Sequence, residues 1–150
     1  FGFKNTSVHD IGHNKITDNG LKSAEARDVI REFQIDQIAK LATQLKAVPE
    51  GDGTMLDNTM IIYLSDTGEA HHSSRKEWPF IIVGGRGHKM KTAGRYLRYP
   101  KYGQTGHKTI GNYYNTILQA SGSPIRDYFG QLDNKLKHLD LRGPLSELTL

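Results

Sequence analysis

With 150 residues, 36% apolar content and a mean hydropathy of −0.58, the chain is long and mixed enough for one globular domain with a core. No run approaches the roughly 20 apolar residues needed to span a bilayer. The complete absence of Cys excludes disulfides and thiolate metal sites and leaves the redox compartment open. The formal charge of +4 is modest. The chain starts at Phe1 without a charged-then-apolar leader, so a processed product or fragment is expected.

In chain order, residues 1–20 are turn-rich and show neither a helical nor a strand period, which predicts a loop carrying His9 and His13. Ser23 can cap a long helix running to about Val48, since Ala26, Val29, Ile30, Phe33, Ile38, Leu41, Ala42 and Leu45 recur at three- and four-residue steps. Pro49 and the Gly51-Asp52-Gly53 turn end it. Two apolar strands follow, Met60–Leu64 and Phe80–Val83, joined by a polar loop that opens Ser65-Asp66-Thr67-Gly68-Glu69 and carries His71 and His72. Apolar runs without alternation predict strands buried on both faces of a parallel or mixed sheet. Trp78, just before the second strand, reads as core or rim packing.

Gly84-Gly85-Arg86-Gly87 reads as a turn, because the strand–GxGxxG–helix order of a phosphate loop is missing. Residues 86–107 are rich in Gly, Lys and Tyr and predict an extended excursion with little core. A second helix, about Lys108–Ala120, is expected to bury Ile110, Tyr113, Tyr114, Ile117 and Leu118, with Gly122 ending it. The tail from Ser123 suggests a short helix and an arm. Because sheets usually hold about four to six strands, the rest of the sheet is expected from chain outside these residues or from a partner. The expected fold is therefore α/β, the C-terminal part of one larger domain spanning residues 1–150.

In open α/β sheets, chemistry collects in loops at the carboxyl ends of strands. Asp66 directly follows a strand and precedes Glu69, His71 and His72, while His9 and His13 lie four apart. Imidazole and carboxylate suit zinc, and also manganese or iron. A catalytic site with three protein ligands leaves a fourth position open. The competing reading is of surface histidines in polar loops. Lys89, Lys91, Arg95, Arg98 and Lys101 alternate with Tyr96, Tyr99 and Tyr102, a pattern able to bind single-stranded nucleic acid. A solvated loop explains the same run, so nucleic acid is not the expected partner.

The segment SVHDIGHN (Ser7–Asn14), the following helix, MLDNTMIIYLSDTGEAHH and the tail FG…GPLSEL resemble the HxxSHH family of uncharacterised bacterial proteins. That family's pattern places His at 9, Ser at 12 and His at 13 and 14; Gly12 and Asn14 depart from it. More distantly, three short motifs are similar to the alkaline-phosphatase-like superfamily of phosphatases, sulfatases, phosphodiesterases and phosphoglycerate mutases. The resemblance implies a three-layer sandwich, with a mixed, largely parallel sheet between helices, and an exported protein, periplasmic or secreted.

Carried over by position, the superfamily's D-x-x-G-H falls on His9-Asp10-Ile11-Gly12-His13, so His13 matches and His9 stands in the place of the Asp. Its D-H-G falls on Asp66-Thr67-Gly68, which keeps the Asp and replaces the His by Thr67. Its last His, before an apolar PF strand, falls on His72 ahead of Pro79-Phe80. The resemblance thus implies one divalent metal, zinc before manganese or iron, on His9, His13 and His72, with Asp66 left from a second site. Losing that second ion removes much of the electrostatic stabilisation of a two-metal hydrolase. Glu69 can serve as a general base or orient a His, or be a solvated loop residue. His107 can cap the second helix or act at an anionic substrate, and Arg86, Lys89 and Arg95 can bind that anion, against a plain surface reading for each. His88 and His138 have no constellation around them. The implied function is metal-dependent hydrolysis of a phosphate or sulfate ester. The alternative is a non-catalytic extracytoplasmic binding or assembly protein that kept the fold.

Overall fold

A computed structural model describes residues 3–4, 6–15, 17–18, 20–65, 78–124 and 126–150. The chain divides into two compact units, Phe1–Gln44 and Leu45–Leu150. It is a mixed α/β protein with small antiparallel sheets.

The first unit opens with a helix that periodicity did not predict, α1 (Val8–Gly12). Its cause is local. The Ser7 hydroxyl accepts the Asp10 N–H at 3.1 Å and donates to Asp10 Oδ2 at 2.6 Å, so one side chain caps the helix and the other adds negative charge to its first turn. Asn14 follows at φ 58°, a left-handed backbone that Asn tolerates better than most residues. A two-residue hairpin, β1 (Thr17–Asp18) against β2 (Leu21–Lys22), leads into α2 (Ser23–Lys46). At the start of α2 it is Glu25 that reaches back, accepting the Lys22 N–H at 2.7 Å. Arg27 binds Ile11 O at 2.9 Å and Asn14 Oδ1 at 2.6 Å, which ties the end of α1 to α2. Ile11, Ser23 and Ala26 are buried here. The expected apolar stripe on α2 is not buried as a whole: Val29, Phe33 and Leu41 are exposed.

In the second unit, β3 (Pro49–Glu50) and β4 (Gly53–Thr54) form a tight hairpin. Asp57 closes it by accepting from both the N–H and the hydroxyl of Thr54, which holds its carboxyl below the usual range. Strands β5 (Met60–Leu64) and β6 (Phe80–Gly84) stand where the apolar runs predicted. They pair with each other antiparallel, Met60 opposite Gly84 and Leu64 opposite Phe80. Burial on both faces is corrected by this arrangement. Met60, Ile62, Phe80 and Ile82 share one face and pack on the core, while Ile81 on the other face is 43% exposed. No larger parallel sheet forms among the described residues.

That core centres on Met90, Tyr113, Leu145 and Leu148, with α3 (Ile110–Ala120) laid against the sheet. Phe80 and Tyr113 stack with centroids 4.2 Å apart. Of the five residues expected to be buried on α3, Tyr113 is buried and the other four are partly exposed. Asn112, Asn115 and Thr116 are buried instead. The C-terminal tail explains this inversion. Asn112 Nδ2 donates to Leu141 O and Gly143 O, both at 2.9 Å, and Asn115 Nδ2 donates to Arg126 O at 3.1 Å. The Thr116 hydroxyl donates to Asn112 O and accepts the Leu145 N–H, both at 2.8 Å. A polar helix face is thus roofed by backbone carbonyls and amides, and of the side-chain polar atoms of Asn112, Asn115 and Thr116 only Asn115 Oδ1 has no partner among the described residues. Beyond it, Leu148 O accepts the Lys91 N–H at 2.9 Å and Lys89 O accepts the Leu150 N–H at 2.9 Å, joining the tail's end to the segment after β6.

Burial raises two phenols in this unit. Tyr113 is pushed up to about 12 by desolvation, with a smaller effect of Tyr114. Tyr99 is also pushed up to about 12, first by desolvation and then by the Glu147 carboxylate. The folded chain therefore keeps protons that the unfolded chain releases from about pH 10. The associated stability is complete below about pH 10 and falls as pH rises towards about 12. Urea midpoints should drop across that window and drop less in Tyr113→Phe. An equal drop in the variant would assign the alkaline loss elsewhere. At neutral pH the same variant should be no less stable than wild type, since the Tyr113 hydroxyl has no hydrogen-bond partner among the described residues.

Candidate functional site

The two histidines of the first unit sit on α1 and at its C-cap. A four-residue step on a helix brings side chains to one face. The imidazole centroids of His9 and His13 are 4.7 Å apart, with the rings edge-to-face, and both residues are exposed. Asp10, between them in sequence, is engaged with Ser7 in the cap. Neutral imidazole is a ligand type that zinc accepts. Asp66, Glu69, His71 and His72 lie outside the described residues. Among the described residues, no group of three or more His, Asp or Glu comes together to hold a metal ion.

His107 does not cap α3. That place is held by Thr109, whose N–H and hydroxyl both donate to Asn112 Oδ1, at 2.9 and 3.1 Å. His107 is buried instead, donating from Nδ1 to Pro100 O at 3.0 Å, with its ring edge against Tyr102. In this position it braces the Pro100–His107 loop.

The three expected anion binders have separate surroundings. Arg86 lies in a short 3-10 helix (Arg86–His88), and its charge contributes weakly to holding the Asp57 carboxyl low. Lys89 follows at φ 58°. Arg95 donates from Nη1 to Glu147 O at 2.8 Å. Gly84-Gly85-Arg86-Gly87 is a turn as expected, tied down by Gly85 N–H to Thr59 O and Gly87 N–H to Asp57 O, both at 2.8 Å. Trp78 donates its indole N–H to Ser65 O at 2.7 Å, joining the ends of β5 and β6 away from that turn.

Residues 86–107 lack regular structure beyond the short helix, but they are not a loose excursion. Glu147 takes Arg95 through its carbonyl and Tyr99 through its carboxylate, the latter at 3.4 Å. The Tyr102 hydroxyl donates to Asp133, raising the phenol and lowering the carboxyl. His138 Nε2 donates to Gly103 O at 3.2 Å. Between these anchors runs an open groove lined by Arg98, Tyr99, Pro100, Lys101 and Gln104. The groove residues were legible as a basic, aromatic run; that the tail would hold them in place was not.

Compared with protein-family models, curated proteins and solved structures, the chain matches none. No helix among the described residues is long and apolar enough to cross a membrane.

Proposed function

We propose that this chain is the C-terminal part of an exported, alkaline-phosphatase-like protein. It would use a His-rich site with one divalent metal, zinc before manganese or iron, to hydrolyse a phosphate or sulfate ester. The observation that carries the reading is the convergence of His9 and His13 on α1, 4.7 Å between ring centroids. The HDIGH motif that suggested a ligand pair from sequence has this geometry by virtue of a helix built on Ser7 and Asp10.

In this reading His9, His13 and His72 would hold the ion, with Asp66 left from a second site. A divalent ion held by three protein ligands supplies a Lewis acid at its open position. Glu69 takes the general-base or His-orienting role. His107 is left out of it, since its Nδ1 proton is committed to Pro100 O. The larger sandwich is also part of the proposal. Two strands alone make a marginal sheet, and the half-exposed face carrying Ile81 supports further covering layers.

Elemental analysis tests the site. Purified protein should carry about one equivalent of metal, lost in His9→Ala, His13→Ala and His72→Ala alike. Metal-free wild type, with normally folded variants, would overturn the site and leave the non-catalytic binding or assembly role.

A further inference from the structure

We propose that the groove segment from Lys91 to Gln104 binds single-stranded nucleic acid, with Tyr96 as a stacking platform and Arg95, Arg98 and Lys101 on phosphates. Three observations carry this. The first is charge. From Trp78 through Arg126 the chain has eight Lys and Arg and not one Asp or Glu. Among the described residues, none of those cations forms an ion pair. A stretch of chain with an excess of cations attracts polyanions, here with the Glu147 and Asp133 carboxylates of the tail engaged by the Tyr99 and Tyr102 hydroxyls beside it.

The second observation is exposure. Tyr96 is 87% exposed, far beyond any other large apolar or aromatic residue of the second unit except Leu150 among the described residues. In sequence it lies between Arg95 and Arg98, and the neighbouring groove is lined by Arg98, Tyr99, Pro100, Lys101 and Gln104. An aromatic face can stack a base of any sequence while nearby cations follow the backbone. The third is preorganisation. Glu147 holds Arg95 by its carbonyl and Tyr99 by its carboxylate, so the Tyr96–Arg98 tip is fixed at both ends. Arg95 gives Glu147 one Nη1–H and keeps other donors in its guanidinium fork.

These features favour nucleic acid over other polyanions. A sulfated oligosaccharide has no base to lay on Tyr96. An anionic bilayer would be expected to meet an amphipathic helix, whereas this segment is not helical and Leu97 is its one large exposed aliphatic side chain. The proposal depends on the second unit alone and does not rest on the metal site.

Fluorescence anisotropy with the full chain and a labelled oligothymidine of about 12 nucleotides tests it, with EDTA present throughout. Three phosphate contacts should give a log–log salt slope of about −2, and each of Arg98→Gln and Lys101→Gln should reduce its size by roughly 0.7. Tyr96→Ala should weaken binding about tenfold, with Tyr96→Phe near wild type. Tyr96 is so exposed that both variants should keep the wild-type unfolding midpoint. Absence of binding at low salt would overturn the proposal. So would an unchanged affinity in Tyr96→Ala, equal binding of a sulfated oligosaccharide, or stronger binding to phosphatidylserine vesicles.

Discussion

Asn112→Ala is expected to destabilise the second unit by about 3–5 kcal/mol, the largest effect of any polar substitution in it. The side chain is fully buried and works at both ends. Its Oδ1 accepts the Thr109 N–H that would otherwise be an orphan donor at the start of α3. Its Nδ2 satisfies Leu141 O and Gly143 O, with Arg142 O further off at 3.3 Å. Ala removes every one of these hydrogen bonds. Leaving a buried group unpaired costs about 1–3 kcal/mol, and several are orphaned together. Asn112→Asp should be as harmful, because a carboxylate would face the carbonyl oxygens that the amide now serves. Urea unfolding and limited proteolysis of the tail would measure both. A loss under about 1 kcal/mol in Asn112→Ala would mean that the tail is held chiefly by Leu145 and Leu148 in the core.

Gly84→Ala is expected to prevent normal folding of the β5–β6 hairpin, or to cost about 4 kcal/mol or more if the chain still folds. Gly84 ends β6 at φ 81°. A Cβ there would lie within contact distance of Thr59 O and 2.6 Å from Leu56 O. Both are backbone atoms in the turn that carries Asp57, so neither can swing aside as a long side chain would. Gly94→Ala provides the matched control. It has φ 65° and open space around the added methyl, so only the left-handed backbone penalty of about 1–2 kcal/mol applies. The ratio between the two variants separates steric clash from conformational strain. Similar midpoints for both would show that the Leu56–Thr59 turn gives way easily.

Much of the local structure was legible. Strands β5 and β6 follow from uninterrupted apolar runs, and α3 from its spaced apolar residues ahead of Gly122. Other readings failed for reasons that can be named. The helix α1 is too short for a period, and its signal was a side-chain reciprocity between Ser7 and Asp10. The inverted burial on α3 depends on carbonyls 29 to 31 positions away, which no window over the helix can contain. For the candidate site, the sequence pointed to His9 and His13, and their helical spacing explains why the rings meet. His107 does not cap α3 as its place before the helix suggests; Thr109 does, and His107 donates to the Pro100 carbonyl.

By itself, the sequence determined which segments are apolar enough to become strands, where Gly and Pro must interrupt them, and where positive charge accumulates without acids. These are properties of neighbouring residues, and short-range sterics and solvation decide them. Only the tertiary structure decided that β5 pairs antiparallel with β6, that a polar side of α3 is buried along with Tyr113, and that Glu147 displays the Tyr96 tip. Each depends on partners far along the chain. Burial of a polar group is favourable only when such a partner arrives to replace water.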